Sequence, residues 1–173
     1  RRHFGEQGDE PGEFRLISDF TITPSGGVIG VDCARGIVQW LRKDGRLLFS
    51  AAGTQAGPFA RPFGIASLDD GTVVVSDMAL HRVFHLDPRG KPIANWGGAT
   101  DRALTPTERL EPSYLYKPAG LATAPTGNAI LVVDWGHHRT QLTDPAGNNP
   151  IVFGARAFLA PPRSARTPER SED

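Results

Sequence analysis

Cysteine is nearly absent. Cys33 is the single one in 173 residues, so no intrachain disulfide can form. Without a CxxC or CxxCH there is no thiolate-held structural zinc and no covalently attached haem. Long apolar runs are missing as well: nothing approaches the roughly 20 residues that a membrane-crossing helix requires, which excludes such a span in these residues. Excess charge of one sign is also lacking. Nineteen Lys and Arg balance nineteen Asp and Glu, leaving no overall field to draw in nucleic acid or an anionic membrane. The motifs that announce common chemistries do not occur either: no GxxxxGK phosphate loop, HExxH, GxSxG, EF-hand loop or N-x-S/T acceptor. Together these absences lower the expectation of an enzyme and leave local binding as the alternative.

Glycine and proline are what the chain has in quantity, 20 and 15 residues, beside a hydrophobic content of 39%. That combination has enough apolar material to bury and too many turn formers for long helices, so it points to a turn-rich all-β domain. The length suits one domain plus a tail. The chain opens Arg1-Arg2-His3, with no initiator methionine. This fits a cleaved signal peptide, an anchor segment or a fragment of a longer protein, and favours a periplasmic or other extracytoplasmic location.

A repeat organises the chain. Displacing the sequence by 45 residues superposes Gly12 on Gly57, Phe14 on Phe59, Gly26 on Gly71, Asp32 on Asp77, Leu41 on Leu86 and Gly45 on Gly90. A further displacement of 57 superposes Asp77 on Asp134, His81-Arg82 on His138-Arg139 and Gly90 on Gly147, so the third copy carries a 12-residue insertion. Residues 99–117 are therefore expected to form an elongated loop. The copies span about 14–53, 54–98 and 99–154, preceded by a lead-in over 1–13 and followed by a Pro/Arg-rich tail over 155–173, which composition alone reads as disordered.

Within the second copy, Phe63–Leu68 reads as a strand and Asp69-Asp70-Gly71 as a hairpin turn, since glycine admits the positive φ such turns demand. Thr72–Asp77 is β-branched and apolar, as in a fully buried strand, while Arg82–Leu86 alternates as in a half-exposed one. Pro88-Arg89-Gly90 makes the next turn and Pro92–Trp96 the fourth strand. Four strands in about 45 residues make one propeller blade, with burial expected to fall outward.

The stretch Val75-Ser76-Asp77-Met78-Ala79-Leu80-His81-Arg82-Val83-Phe84-His85-Leu86-Asp87 resembles the "D-x-x-N-x-R-V" core of the NHL repeat, with Leu80 where asparagine is usual. Val133-Asp134-Trp135-Gly136-His137-His138-Arg139-Thr140 fits the same pattern, whereas the first copy has Ile37 at the arginine position. The resemblance covers residues 4–154 and implies an all-β, incomplete β-propeller array of about three four-stranded NHL-type blades with an extended C-terminal tail. It also implies one enzymatic alternative, because NHL-like propellers include zinc-dependent peptidyl-hydroxyglycine lyases and gluconolactonase-like propellers use metals.

Closed propellers typically use four to eight blades. Three blades expose apolar faces and strand edges at both ends, which a second copy making a six-bladed ring, further blades or a partner protein would cover. His3-Phe4-Gly5 resembles the outer-strand ends Trp96-Gly97 and Phe153-Gly154, so a preceding blade is expected. The expectation is a non-catalytic protein-interaction or scaffold module, an accessory subunit of a larger assembly that docks through its open blade edges, the 99–117 loop and the C-terminal tail; other protein subunits are the expected partners, homodimerisation is a second route, and nucleic acid is not expected.

Among side chains, the repeated Asp32, Asp77 and Asp134 with Arg82 and Arg139 read as architecture, each arginine pairing with its aspartate. A metal, were one held, would fall to His81, His137 and His138, because imidazole is the commonest zinc ligand. The expectation is nevertheless no metal, no cofactor and no catalytic residue. Trp40, Trp96 and Trp135 with Phe4, Phe14, Phe59, Phe63 and Phe153 read as blade packing, and Cys33 as a small buried residue.

Overall fold

A computed structural model describes residues 6–55, 57–98, 111–112, 114–125 and 128–154. The tail expected over 155–173, most of the 99–117 loop and His3-Phe4-Gly5 lie outside the described residues.

The described chain is all-β and builds three four-stranded antiparallel sheets in sequence order. The first contains β1 (Ile17–Ile22), β2 (Val28–Asp32), β3 (Ile37–Leu41) and β4 (Leu47–Ala51). A small hairpin, β5 (Gly53–Thr54) with β6 (Gly57–Pro58), leads into the second. That sheet contains β7 (Pro62–Ser67), β8 (Val73–Asp77), β9 (Arg82–Leu86) and β10 (Pro92–Gly97). The third contains β11 (Pro118–Thr123), β12 (Ile130–Asp134), β13 (Arg139–Thr143) and β14 (Ile151–Gly154), with one 3-10 turn at Trp135–His137. Each sheet is a simple meander, the topology of a propeller blade.

The blades stack side by side through their innermost strands, with β7 between β1 and β11. Ser18 donates to the Phe63 carbonyl across the first seam, and Asp19 and Thr21 accept the backbone N–H groups of Ile65 and Ser67. Ser76 donates to the Ala119 carbonyl across the second. Two apolar cores fill the seams. One joins Ile29, Val31, Val38 and Trp40 to Ile65, Val75, Phe84 and Leu86, with Phe59 between. The other joins Val74, Val83 and Leu68 to Leu115, Ile130 and Val132.

Two expectations need correction. Strand β9 is not half-exposed: Val83, Phe84 and Leu86 are all buried, because a middle blade is covered on both faces and both sets of alternating side chains meet a neighbour. Burial does fall outward through β8, β9 and β10, yet the innermost β1 is largely exposed, since its outward face meets no blade among the described residues.

Candidate functional site

The repeated aspartates are backbone clamps. Asp77, fully buried, accepts N–H groups from Ala60 and Arg61 before β7 and from Ala79 and Leu80 after β8, at 2.8–3.1 Å. Asp32 does the same for Arg15, Leu16, Ala34 and Arg35. One carboxylate thus ties the entry of the inner strand to the turn leaving the second strand, satisfying donors that a tight turn strands.

The third blade uses the clamp differently. Among the described residues Asp134 keeps one backbone partner, Tyr116, and takes side chains in place of the turn amides: His137 Nδ1 at 2.9 Å, Arg139 Nε at 2.7 Å and Gln141 Nε2 at 3.3 Å. Burial pushes the Asp134 carboxyl up, but the bonds from His137, Tyr116 and Arg139 outweigh it and hold it below the usual carboxylate range. The expected arginine–aspartate pair therefore exists in this blade. Arg82 departs from it: although it lies opposite Asp77 in the ladder, its guanidinium donates to Asn95 at 2.7 Å, because backbone amides already fill the Asp77 carboxylate.

The histidine repeat has a conformational cause. His81 and His138 sit at φ of 57° and 53°, in the left-handed region, where the first blade has Gly36 at 67°. All three occupy the turn between the second and third strands, a position that favours glycine and tolerates few other residues.

Around that turn, side chains of the second and third blades meet on one end of the molecule. The Tyr116 ring stacks on His81, centroids 4.8 Å apart, and tilts against His137 at 5.7 Å. The Lys117 N–H donates to His81 Nδ1 at 3.0 Å, and Lys117 Nζ lies 5.5 Å from the Tyr116 ring centre and 5.8 Å from that of Trp135. Burial pulls the His81 pKa down and the Lys117 charge adds to that, so the ring is neutral near pH 7. Tyr116 and Lys117 lie at the end of the segment expected to be an inserted loop, but the structure places them as the repeat equivalents of Ala60 and Arg61, just before the inner strand: the Tyr116 N–H donates to Asp134 as that of Ala60 does to Asp77. His138 turns away to the open side of the third blade. Among the described residues no group of three His, Cys, Asp or Glu side chains has metal-holding geometry.

The larger feature lies at the two ends of the blade stack. On the leading face of the first blade, Phe20 and Ile22 are 62% and 63% exposed, while Ile65, at the Phe20 position of the second blade, is 3% exposed. On the trailing face of the third blade, Phe153 is 49% exposed and Val133 is open as well; their counterparts in the second blade, Trp96 and Ser76, are covered by the neighbour. Trp135, 54% exposed, joins Val133, His138, Thr140 and Phe153 around a groove of about 280 Å³. Phe153, on β14, and Trp135, in the 3-10 turn, therefore meet no neighbouring blade among the described residues, unlike the packing between blades expected of them. Cys33 is half-buried, its thiol 3.6 Å from the Leu16 carbonyl.

No family model matches the chain. It is 30% identical over 108 residues to rat (Rattus norvegicus) peptidylglycine alpha-amidating monooxygenase, a match covering 61% of this chain and 10% of that protein. Among solved structures it superposes on a catalytically inactive virginiamycin B lyase from Staphylococcus aureus with quinupristin at a TM-score of 0.60, with 14% identity, covering 86% of this chain and 43% of that one. A streptogramin B lyase gives 0.57 with 12% identity, covering 79% and 39%. Kuenenia stuttgartiensis hydrazine synthase also gives 0.57, with 15% identity, covering 79% and 34%. The chain spans less than half the length of each of these proteins. At such identities the likeness establishes a β-propeller-like fold. No helix among the described residues is long and apolar enough to cross a membrane.

Proposed function

We propose that this chain is a non-catalytic protein-interaction module of NHL-type blades, an accessory part of a larger protein assembly that docks through its two open blade faces. The observation that carries this reading is positional: the large exposed apolar side chains of the end blades include Phe20 and Phe153, whose counterparts in the middle blade are covered. Exposed apolar patches built like interior seams favour association. The end-facing cluster around Tyr116 supports the same view, because its polar groups are engaged in architecture: His81 with the Lys117 amide, His137 and Arg139 with Asp134.

A second reading makes the chain part of a metal-dependent lyase or gluconolactonase-like enzyme, favoured by the likeness to the amidating monooxygenase. The two separate when the particle that contains the chain is isolated from its source cell and its mass and metal content are determined. The interaction reading predicts a particle heavier than one copy of the polypeptide that carries these blades, whose size falls on Phe153→Glu and is indifferent to His137→Ala. A stoichiometric metal lost on substituting His81 or His137, in a particle indifferent to Phe153→Glu, sinks it.

A further inference from the structure

In each blade the turns joining the first strand to the second and the third to the fourth lie at the end opposite the Tyr116 cluster. Between the first two blades, these turns enclose a groove of about 320 Å³. The first blade contributes Pro24 and Ser25 of the β1–β2 turn, together with Trp40, 4% exposed, and Phe49, stacked on it with ring centroids 4.7 Å apart. The second contributes Asp69, Asp70 and Pro88. Every residue lining the groove, and its neighbours in the chain, is described. A volume at the small end of the range for ligand sites suits one or two side chains better than a large cofactor.

The charge of the groove is of one sign. Asp69 and Asp70 are the ionisable groups that line it, and neither forms an ion pair with a Lys or Arg among the described residues. The Asp70 carboxylate is braced from behind. Its Oδ1 accepts from the Thr72 N–H at 2.9 Å and from the Thr72 hydroxyl at 2.7 Å, and that hydroxyl lies 2.9 Å from His85 Nε2. Since the hydroxyl proton goes to Asp70, the imidazole N–H donates to Thr72. The bonds from Thr72 hold the Asp70 carboxyl below the usual carboxylate range, so it is charged near neutral pH. Neither Asp69 oxygen nor Asp70 Oδ2 accepts a hydrogen bond from another described residue.

This brace is no part of the repeat. His85 lies opposite Val74 as Trp40 lies opposite Ile29 and Leu142 opposite Leu131. Thr72 precedes β8 where Gly27 precedes β2 and Ala129 precedes β12. The first and third blades fold without an Asp–Thr–His chain, so blade architecture does not require one. It occurs in the blade whose turn faces Trp40 and Phe49.

We infer that this groove is a binding site for an arginine side chain presented by an extended peptide segment of a partner. The site lies inside the seam of two described blades and stands whether or not the end faces associate. An arginine stem can lie on the apolar surface of Phe49 and Pro88 while its planar guanidinium brings a fork of N–H donors to the unengaged oxygens of two adjacent carboxylates. The compact ammonium of lysine matches that pair less well.

Isothermal titration calorimetry of the intact polypeptide that carries these blades tests this, with circular dichroism as a folding control. The probes are blocked pentapeptides of proline and leucine with arginine, citrulline or lysine at the centre. The arginine peptide is expected to bind with saturation. Citrulline, which keeps the shape and loses the charge, is expected to bind about tenfold more weakly or worse, and Asp70→Asn to weaken the arginine peptide by a similar factor, since each removes a charge-assisted pair. Lysine is expected to fall between arginine and citrulline. Thr72→Ala, which copies Ala129 of the third blade, keeps both carboxylates and is expected to lower the preference for arginine over citrulline, because Asp70 loses its brace. The full preference in that variant would remove Thr72 and His85 from the site. An arginine peptide that does not saturate at millimolar concentration, that binds no better than the citrulline or lysine peptide, or that is indifferent to Asp70→Asn overturns the inference.

Discussion

At the residue scale, the aspartates decide most. The buried carboxylate of Asp77 answers four backbone N–H groups. Asp77→Ala is expected to cost about 3 kcal/mol or more in denaturant unfolding, because it orphans several donors at once, whereas Arg82→Ala is expected to cost under about 1 kcal/mol. Equal losses would show that the arginine shares the clamp. The repeat made the importance of Asp32, Asp77 and Asp134 legible in the sequence, but not their partners. A repeated spacing of Asp and Arg suggests an ion pair, while main-chain amides carry no letter of their own. Only in the third blade, where His137, Arg139 and Gln141 reach inward, does the side-chain pairing hold.

His81 adds a pH dependence at the same scale. Its folded pKa lies below the ordinary value because burial and the Lys117 charge disfavour the cation, against weaker attraction from Asp77 and Asp134. The unfolded chain therefore binds the proton more readily. The contribution is fully present above about pH 6.5 and is lost as pH falls through the lower folded value. His85, lowered chiefly by burial, acts in the same window. Stability measured from pH 7.5 to 5 is expected to decline, and His81→Asn, which tolerates the left-handed backbone, to flatten part of that decline. An unchanged slope in the variant would remove His81 from the account.

At the scale of elements, the approach of one inner strand to the next sets the stacking. A methyl group added at Gly64 on β7 would overlap the Ala119 carbonyl of β11, while one added at Gly120, its counterpart on β11, would meet only Val133 at 3.6 Å. Gly64→Ala is expected to destabilise by about 2 kcal/mol, and Gly120→Ala to stay within about 0.5 kcal/mol in the single chain. The reverse order, read by thermal or denaturant unfolding, would contradict the blade stacking described here. Strand positions and turn glycines followed from hydrophobic alternation and from the Asp-Gly and Pro-x-Gly signals, which act locally. What escaped was anything set by the neighbouring blade. The full burial of Val83, Phe84 and Leu86 arises from a sheet covered on both faces, and the exposure of Val133 and Phe153 from a sheet with no neighbouring blade on one face among the described residues. Tyr116 and Lys117 escaped for a related reason, since their meeting with His81 and His137 depends on how two blades sit together.

At the scale of the molecule, the first and third blades each present a face with no neighbouring blade among the described residues, and the proposed function requires those faces to be the ones that associate. Hydroxyl-radical footprinting of the assembled particle against the dissociated chain tests that claim most directly. The built-in controls are Leu48 and Ile93, 50% and 54% exposed on the outer strands β4 and β10. Association through the blade ends predicts strong protection of Phe20 and Ile22 on one face and of Val133, Trp135 and Phe153 on the other, with Leu48 and Ile93 labelled equally in both states. Labelling of the end-face side chains that is as heavy in the particle as in the free chain would contradict it.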